Sequence, residues 1–194
     1  EQGVAALSLW RGWLDAGYAP ESVINTTQTT SWQEFATGDY AFSENGTWQL
    51  AAAGETGFDW GVIPIPGRDG GVAPAPTGGE FVAAPVQTDT SRYATTTTII
   101  DCLTSPENAL VTDTTLSYVG ATRAVQSEQA QDAELAPWVE AVQSARGRTS
   151  DDLGTAYPLI SEQLWDAVQA ALSVSTSPEQ ALQDAQNAAA AAVG

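Results

Sequence analysis

Residues 67–79, GRDGGVAPAPTGG, constrain the fold of this chain more than any other segment. Glycine loses the most backbone freedom on ordering and proline removes hydrogen-bond donors, so the run reads as loop. The segments on its two sides differ in character. Before it, residues 39–44 alternate Tyr40 and Phe42 with polar neighbours, and residues 58–65, FDWGVIPI, form an apolar run that Pro64 and Pro66 end. Both have the pattern of short strands, and residues 80–84 resume as strand with Phe81 and Ala83 on one face. After residue 90 the pattern is helical, so the elements together predict an α/β layered fold.

The helices carry start and stop signals. Val4, Leu7, Trp10 and Leu14 fall on a helical period that Gly17 ends, and Ser31 with Glu34 is spaced as a capping box for a helix over 31–37. Residues 91–103 form the next helix. Ser105-Pro106-Glu107 and Ser177-Pro178-Glu179 each combine a capping hydroxyl, a proline at the first helical position and an acid near the positive dipole end. Further helices are expected near 132–145, 159–173 and 178–192, with a gap at 118–123. Three short strands are too few for a sheet flanked by this much helix, so the chain reads as part of a larger unit.

The acid-to-base balance is 24 to 6, a net charge of −18, which repels phosphate backbones and argues against a nucleic-acid partner. Histidine is absent, which removes imidazole catalysis and imidazole metal sites. Cys102 is the only cysteine, so a disulfide within the chain and a thiolate metal cluster are excluded, and its apolar neighbours predict a buried, inert thiol. Asp151 and Asp152 are adjacent and point apart in extended chain, unlike the facing carboxylates of a glycosidase. No catalytic, metal or cofactor set emerges, and the chain is expected not to be an enzyme.

The order of the motifs carries a resemblance. FATGDYAFSENGTW, then WGVIPIPG, the Gly-Gly-led segment at 78–84, LTSPENA, Tyr157-Pro158 and LWDAVQAAL run in the sequence in which they occur in the family 1 extracellular solute-binding proteins, the maltose-binding-protein-like group. The chain is similar to the C-terminal half of such a protein. The resemblance implies a periplasmic-binding-protein-like fold of two lobes closing on a ligand by hinge motion. Residues 1–57 and 113–194 would build a helix-rich second lobe, and 58–112 would cross the hinge and complete part of the first. It further implies a carbohydrate ligand, an oligosaccharide or glycoside, and delivery to the permease subunits of an ABC transporter. An N-terminal half of the same protein would complete the clamp. The location would be extracellular or periplasmic, with a lipoprotein anchor at the N-terminus.

A sugar presents a C–H face that packs on aromatic rings and hydroxyls that need donors and acceptors. By the resemblance, Trp48 and Trp165 are stacking candidates, although either position also suits core packing. Gly78 and Gly79 would let backbone approach the ligand, or serve only a flexible turn. Glu80 would accept from hydroxyls, or simply face solvent. Arg123 departs from the family pattern, in which a proline is common just before it; its planar fork suits vicinal hydroxyls or a carboxylate. Trp10, Trp13, Trp32, Trp60 and Trp138 read as packing residues. The rival readings are a glycoside hydrolase or an accessory carbohydrate-binding domain, and a structural partner-binding module.

Overall fold

A computed structural model describes residues 1–149 and 153–194, so Asp151 and Asp152 lie outside the described residues. The chain divides into two compact units, residues 1–34 with 148–194 and residues 35–147.

The first unit is a helical cluster. Helix α1 (Gln2–Asp15) packs with α8 (Tyr157–Leu172) and α9 (Pro178–Val193), the last two being consecutive along the chain. Alanines separated by one turn, Ala167 and Ala171 on α8 and Ala181 and Ala185 on α9, form the seam, with Leu7 of α1 closing it. Small side chains let the helix backbones approach closely, and Gly3 stands where a Cβ would lie 3.3 Å from a methyl of Leu182. Arg11 adds a polar tie. Its Nη1 donates to the carbonyls of Ala171 and Leu172, both at 3.3 Å, which places a cation at the negative end of α8, while Nε donates to Asp15.

The expected start and stop signals operate, with one shift. Ser105 and Ser177 each accept the backbone N–H three residues on and open helices α5 (Pro106–Thr115) and α9. Helix α2 (Gln28–Phe35) begins a turn earlier than Ser31. Thr27 and Thr30 exchange backbone-to-hydroxyl bonds there, and the Ser31 hydroxyl donates within the helix to the carbonyl of Gln28. Asp89 accepts from both the backbone and the hydroxyl of Ser91 just before α4 (Tyr93–Leu103), and these bonds hold its carboxyl below the ordinary range.

Three helices end in the same reversal. In each, a residue at positive φ turns the chain so that the next N–H reaches back to the last turn: Gly17 after α1, Ser117 after α5 and Val174 after α8. The returning bonds are Tyr18 to the carbonyl of Trp13, Tyr118 to that of Asp113, and Ser175 to that of Ala170.

The second unit holds α3 (Leu50–Ala53), α4, α5, α6 (Arg123–Gln129) and α7 (Ala136–Ser144). Its regular strands are β1 (Pro76–Thr77) and β2 (Arg146–Gly147), paired in parallel. The strands expected at 39–44, 58–65 and 80–84 are not formed: these segments run without a ladder, and Phe42 and Phe81 are 82% and 97% exposed. Alternation specifies two faces, but a strand also needs a neighbour for its N–H and C=O groups, and among the described residues no strand pairs with these segments, the one backbone bond across to another segment being that of the Ile65 carbonyl from the Ala73 N–H at the glycine turn. Conversely, the run at 67–79 is not wholly loop. Pro66 and Val72 bridge around a glycine tip, and β1 begins at Pro76, where a proline can open a strand because its missing N–H is not needed.

The tryptophan and cysteine expectations are also corrected. Trp10 and Trp13 are each 44% exposed, because α1 buries only the face carrying Leu7. Trp32, Trp60 and Trp138 are half-buried, and the Trp138 Nε1 is buried with no hydrogen-bond partner among the described residues. Cys102 is exposed, since α4 buries no residue along its length.

Val174 is β-branched and exposed, yet sits at φ 64°, where an L residue costs about 1–2 kcal/mol. Val174→Asn is expected to raise the stability of the chain by about 0.5–1 kcal/mol in urea denaturation, because Asn tolerates this backbone better.

Candidate functional site

The site is built around residues 118–120, which follow α5 and belong to no strand. Two glutamines of α6 take the place of a ladder. Gln129, 2% exposed, donates its Nε2 to the carbonyl of Tyr118 at 2.7 Å and accepts the Gly120 N–H at 2.9 Å. Gln126 Nε2 donates to the Gly120 carbonyl at 2.8 Å. Gly120 is buried, and a Cβ there would collide with Val125 and come within 3.2 Å of an Asp113 carboxylate oxygen. Thr122 then caps α6 by accepting from Val125.

This frame brings three side chains together. The reversal at Ser117 folds Tyr118 back onto the last turn of α5, where Asp113 lies. The Tyr118 hydroxyl reaches Glu80 Oε1 at 3.4 Å, the long end of a hydrogen bond. Glu80 stands on the extended segment that follows Gly78 and Gly79, and Gln87 at its far end donates its N–H to the Tyr93 hydroxyl at 2.8 Å. Asp113 is raised above the ordinary carboxylate value of 3.8, first by partial burial and then by the negative charge of Glu80.

Among the residues proposed from sequence, Glu80 makes the one side-chain bond to a group distant in the chain, among the described residues. Gly78 and Gly79 are exposed, and an added Cβ on either would meet open space, so close packing does not require glycine at these positions. Trp48 is 46% exposed at the Gly46 turn, and its ring occupies the space that a Cβ on Gly46 would fill. Arg123, at the start of α6, lines a cleft of about 440 Å³ with Gln126, Ser127, Ala130, Val139 and Gln143. Trp165 belongs to the other unit, on α8, and is 68% exposed. Sequence reasoning missed Asp113, Tyr118 and Gln129. Tyr118 opens the helix gap expected at 118–123, but nothing in its spacing from Gln129 marks a buried amide bridge.

The family model of the bacterial extracellular solute-binding proteins matches residues 1–138. The chain belongs to that family. Its members bind a solute outside the cell, and the family is generally non-enzymatic. No curated protein matches the chain. In this solute-binding protein no helix among the described residues is long and apolar enough to cross a membrane. No group of three or more acidic or cysteine ligands among those residues could hold a metal ion.

Two outcomes test the site's construction. Gln129→Leu would leave the Gly120 N–H and Tyr118 carbonyl without their partners, at about 1–3 kcal/mol for each buried group. The expected result is a loss of about 2–4 kcal/mol in urea denaturation, with faster amide exchange at Gly120. Asp113 is held protonated more tightly in the folded than in the unfolded state. The stability tied to it is therefore fully present below pH 3.8 and lost as pH rises through the raised folded value. Asp113→Asn should accordingly raise the melting temperature at pH 7, with the gain vanishing as the pH falls towards 3.8.

Proposed function

We propose that this solute-binding protein takes a carbohydrate, an oligosaccharide or glycoside, between two lobes and delivers it to the permease subunits of an ABC transporter. In this reading residues 1–57 and 113–194 belong to the second lobe and 58–112 to the first. An N-terminal half completes the clamp, and a lipid anchor on that half holds the receptor at the membrane. The observation that carries the carbohydrate reading is Trp48, a half-exposed indole propped on a glycine that no larger residue could replace without moving the ring. A flat aromatic fixed at its base and open on its face suits the C–H side of a pyranose. Glu80 and Tyr118 supply an acceptor and a hydroxyl of the kind that the sugar's own hydroxyls need.

One observation favours a hydrolase as a second reading: Asp113 is raised partly by Glu80, so two carboxyl groups interact. Glycosidases use such a pair as acid and base. Against it, the family binds solutes without transforming them. Release of nitrophenol from aryl glycosides, abolished by Asp113→Asn, would establish the hydrolase.

The receptor reading is tested by calorimetry of the chain against a panel of neutral and acidic oligosaccharides. At least one sugar is expected to bind and to quench tryptophan fluorescence. Trp48→Ala should weaken that binding by about tenfold, the equivalent of about 1.4 kcal/mol, while Trp48→Phe keeps most of it. Absence of binding across the panel would refute the carbohydrate assignment.

A further inference from the structure

We infer that the cleft between α6 and α7 is a subsite for a carboxylate carried on the sugar, so that the ligand is an acidic saccharide of the uronic-acid class. This inference rests on the carbohydrate reading and narrows it.

The argument begins with charge. In a chain with 24 acidic and 6 basic residues, a cleft wall that contains an arginine and no carboxylate stands out. Arg123, Gln126, Ser127 and Gln143 supply its polar atoms, and Ala130 and Val139 its floor. On α6 the residues three and four positions beyond Arg123, where an ion-pair partner would sit, are Gln126 and Ser127. Arg11, by contrast, is matched by Asp15 at 2.9 Å. No ion pair is made by Arg123 among the described residues. Arg123 is exposed, and its guanidinium offers N–H donors in a planar fork at the cleft.

The neighbouring amides are already oriented. Gln126 is fixed by its bond to the Gly120 carbonyl, and its Oε1 accepts from Gln143 Nε2 at 3.1 Å, while the same Nε2 donates to the Val139 carbonyl at 3.3 Å. That arrangement uses the donors of Gln143 and leaves its Oε1 to accept from a hydroxyl. The cleft thus presents a cationic fork beside a hydroxyl acceptor, which is the complement of a carboxylate next to a secondary alcohol. Its volume of about 440 Å³ lies within the range of small-molecule sites, roughly 300–1,000 Å³. The negative charge elsewhere on the chain does not forbid an anion here, since exposed charges are screened beyond about 8 Å at physiological salt.

The test is calorimetry of the 194-residue chain with glucuronate, glucose and maltotriose at low and high sodium chloride, repeated for Arg123→Gln and Arg123→Lys. Glucuronate should bind at least about tenfold more tightly than glucose, and the preference should shrink in high salt. Arg123→Gln should remove the preference without lowering the melting temperature, and Arg123→Lys should retain part of it, because a point charge lacks the bidentate geometry. Equal affinity for glucuronate and glucose, or a preference that survives Arg123→Gln, would overturn the acidic-sugar inference while leaving the carbohydrate reading intact. Failure of all three sugars to bind would overturn this inference, and failure across the wider panel would remove the carbohydrate reading with it.

Discussion

The second unit depends on one buried amide. A buried segment outside helices must still satisfy its backbone polar groups, and the usual solution is a neighbouring strand. At residues 118–120 the solution is Gln129, which donates to one peptide and accepts from the other, with Gln126 holding the remaining carbonyl. Glutamine alone among the apolar-shaped side chains of this length carries both a donor and an acceptor at its end. The exchange has a structural consequence: α6, which carries Arg123 and one wall of the cleft, is locked to residues 118–120. Tyr118, the first residue of that bridge, is held by it within reach of Glu80.

The features legible in the sequence were local ones. A hydroxyl followed by proline and an acid opens a helix through atoms within three residues of each other, so Ser105 and Ser177 needed no knowledge of the rest of the chain. The end of α1 at Gly17 belongs to the same class, since positive φ is nearly free for glycine. The equivalent reversals at Ser117 and Val174 carried no such signal. Each is a residue that resists this conformation, and only packing on the preceding helix holds it there. The capping box at Ser31 failed for a related reason: Thr27 and Thr30 offer a competing start one turn earlier, and two hydroxyls can trade bonds with two backbone amides as well as a serine and a glutamate can.

Strands and burial were less legible because both depend on partners remote in sequence. Residues 58–65 and 80–84 have the residue types of strands, yet neither carries information about which neighbour would complete a ladder. The tryptophans misled in the same way. Size and hydrophobicity argue for burial, but the core of the first unit is an alanine seam between α8 and α9, too tight to admit an indole. Trp10 and Trp13 are therefore left half in solvent on the helix that delivers Leu7 to that seam. Of the three side chains that come together, sequence reading named Glu80 but not Tyr118 or Asp113, and it passed over Gln129, because a glutamine on a helix looks like any solvated polar residue until the peptide opposite it is known.

The departures from local stability concentrate between residues 113 and 120, and their coincidence bears on function. Within that interval lie a carboxyl raised by burial beside a like charge, a serine at φ 57° and a glycine with no room for a side chain. Each is unfavourable alone, and such features persist together only where the surrounding structure over-determines them. Val174 offers the contrast. It has a similar positive φ but lies at an exposed turn, where the Ser175 N–H returns to the Ala170 carbonyl and no carboxyl of raised pKa or crowded glycine accompanies it. A receptor must keep hydrogen-bonding groups unpaired and open until its ligand arrives, and that requirement opposes the burial that stabilises the rest of the fold. In the cluster over Gln129 the backbone is over-determined, while Glu80 stays exposed and is held by a long bond from the half-buried Tyr118 hydroxyl, so a rigid frame carries a weakly engaged acceptor.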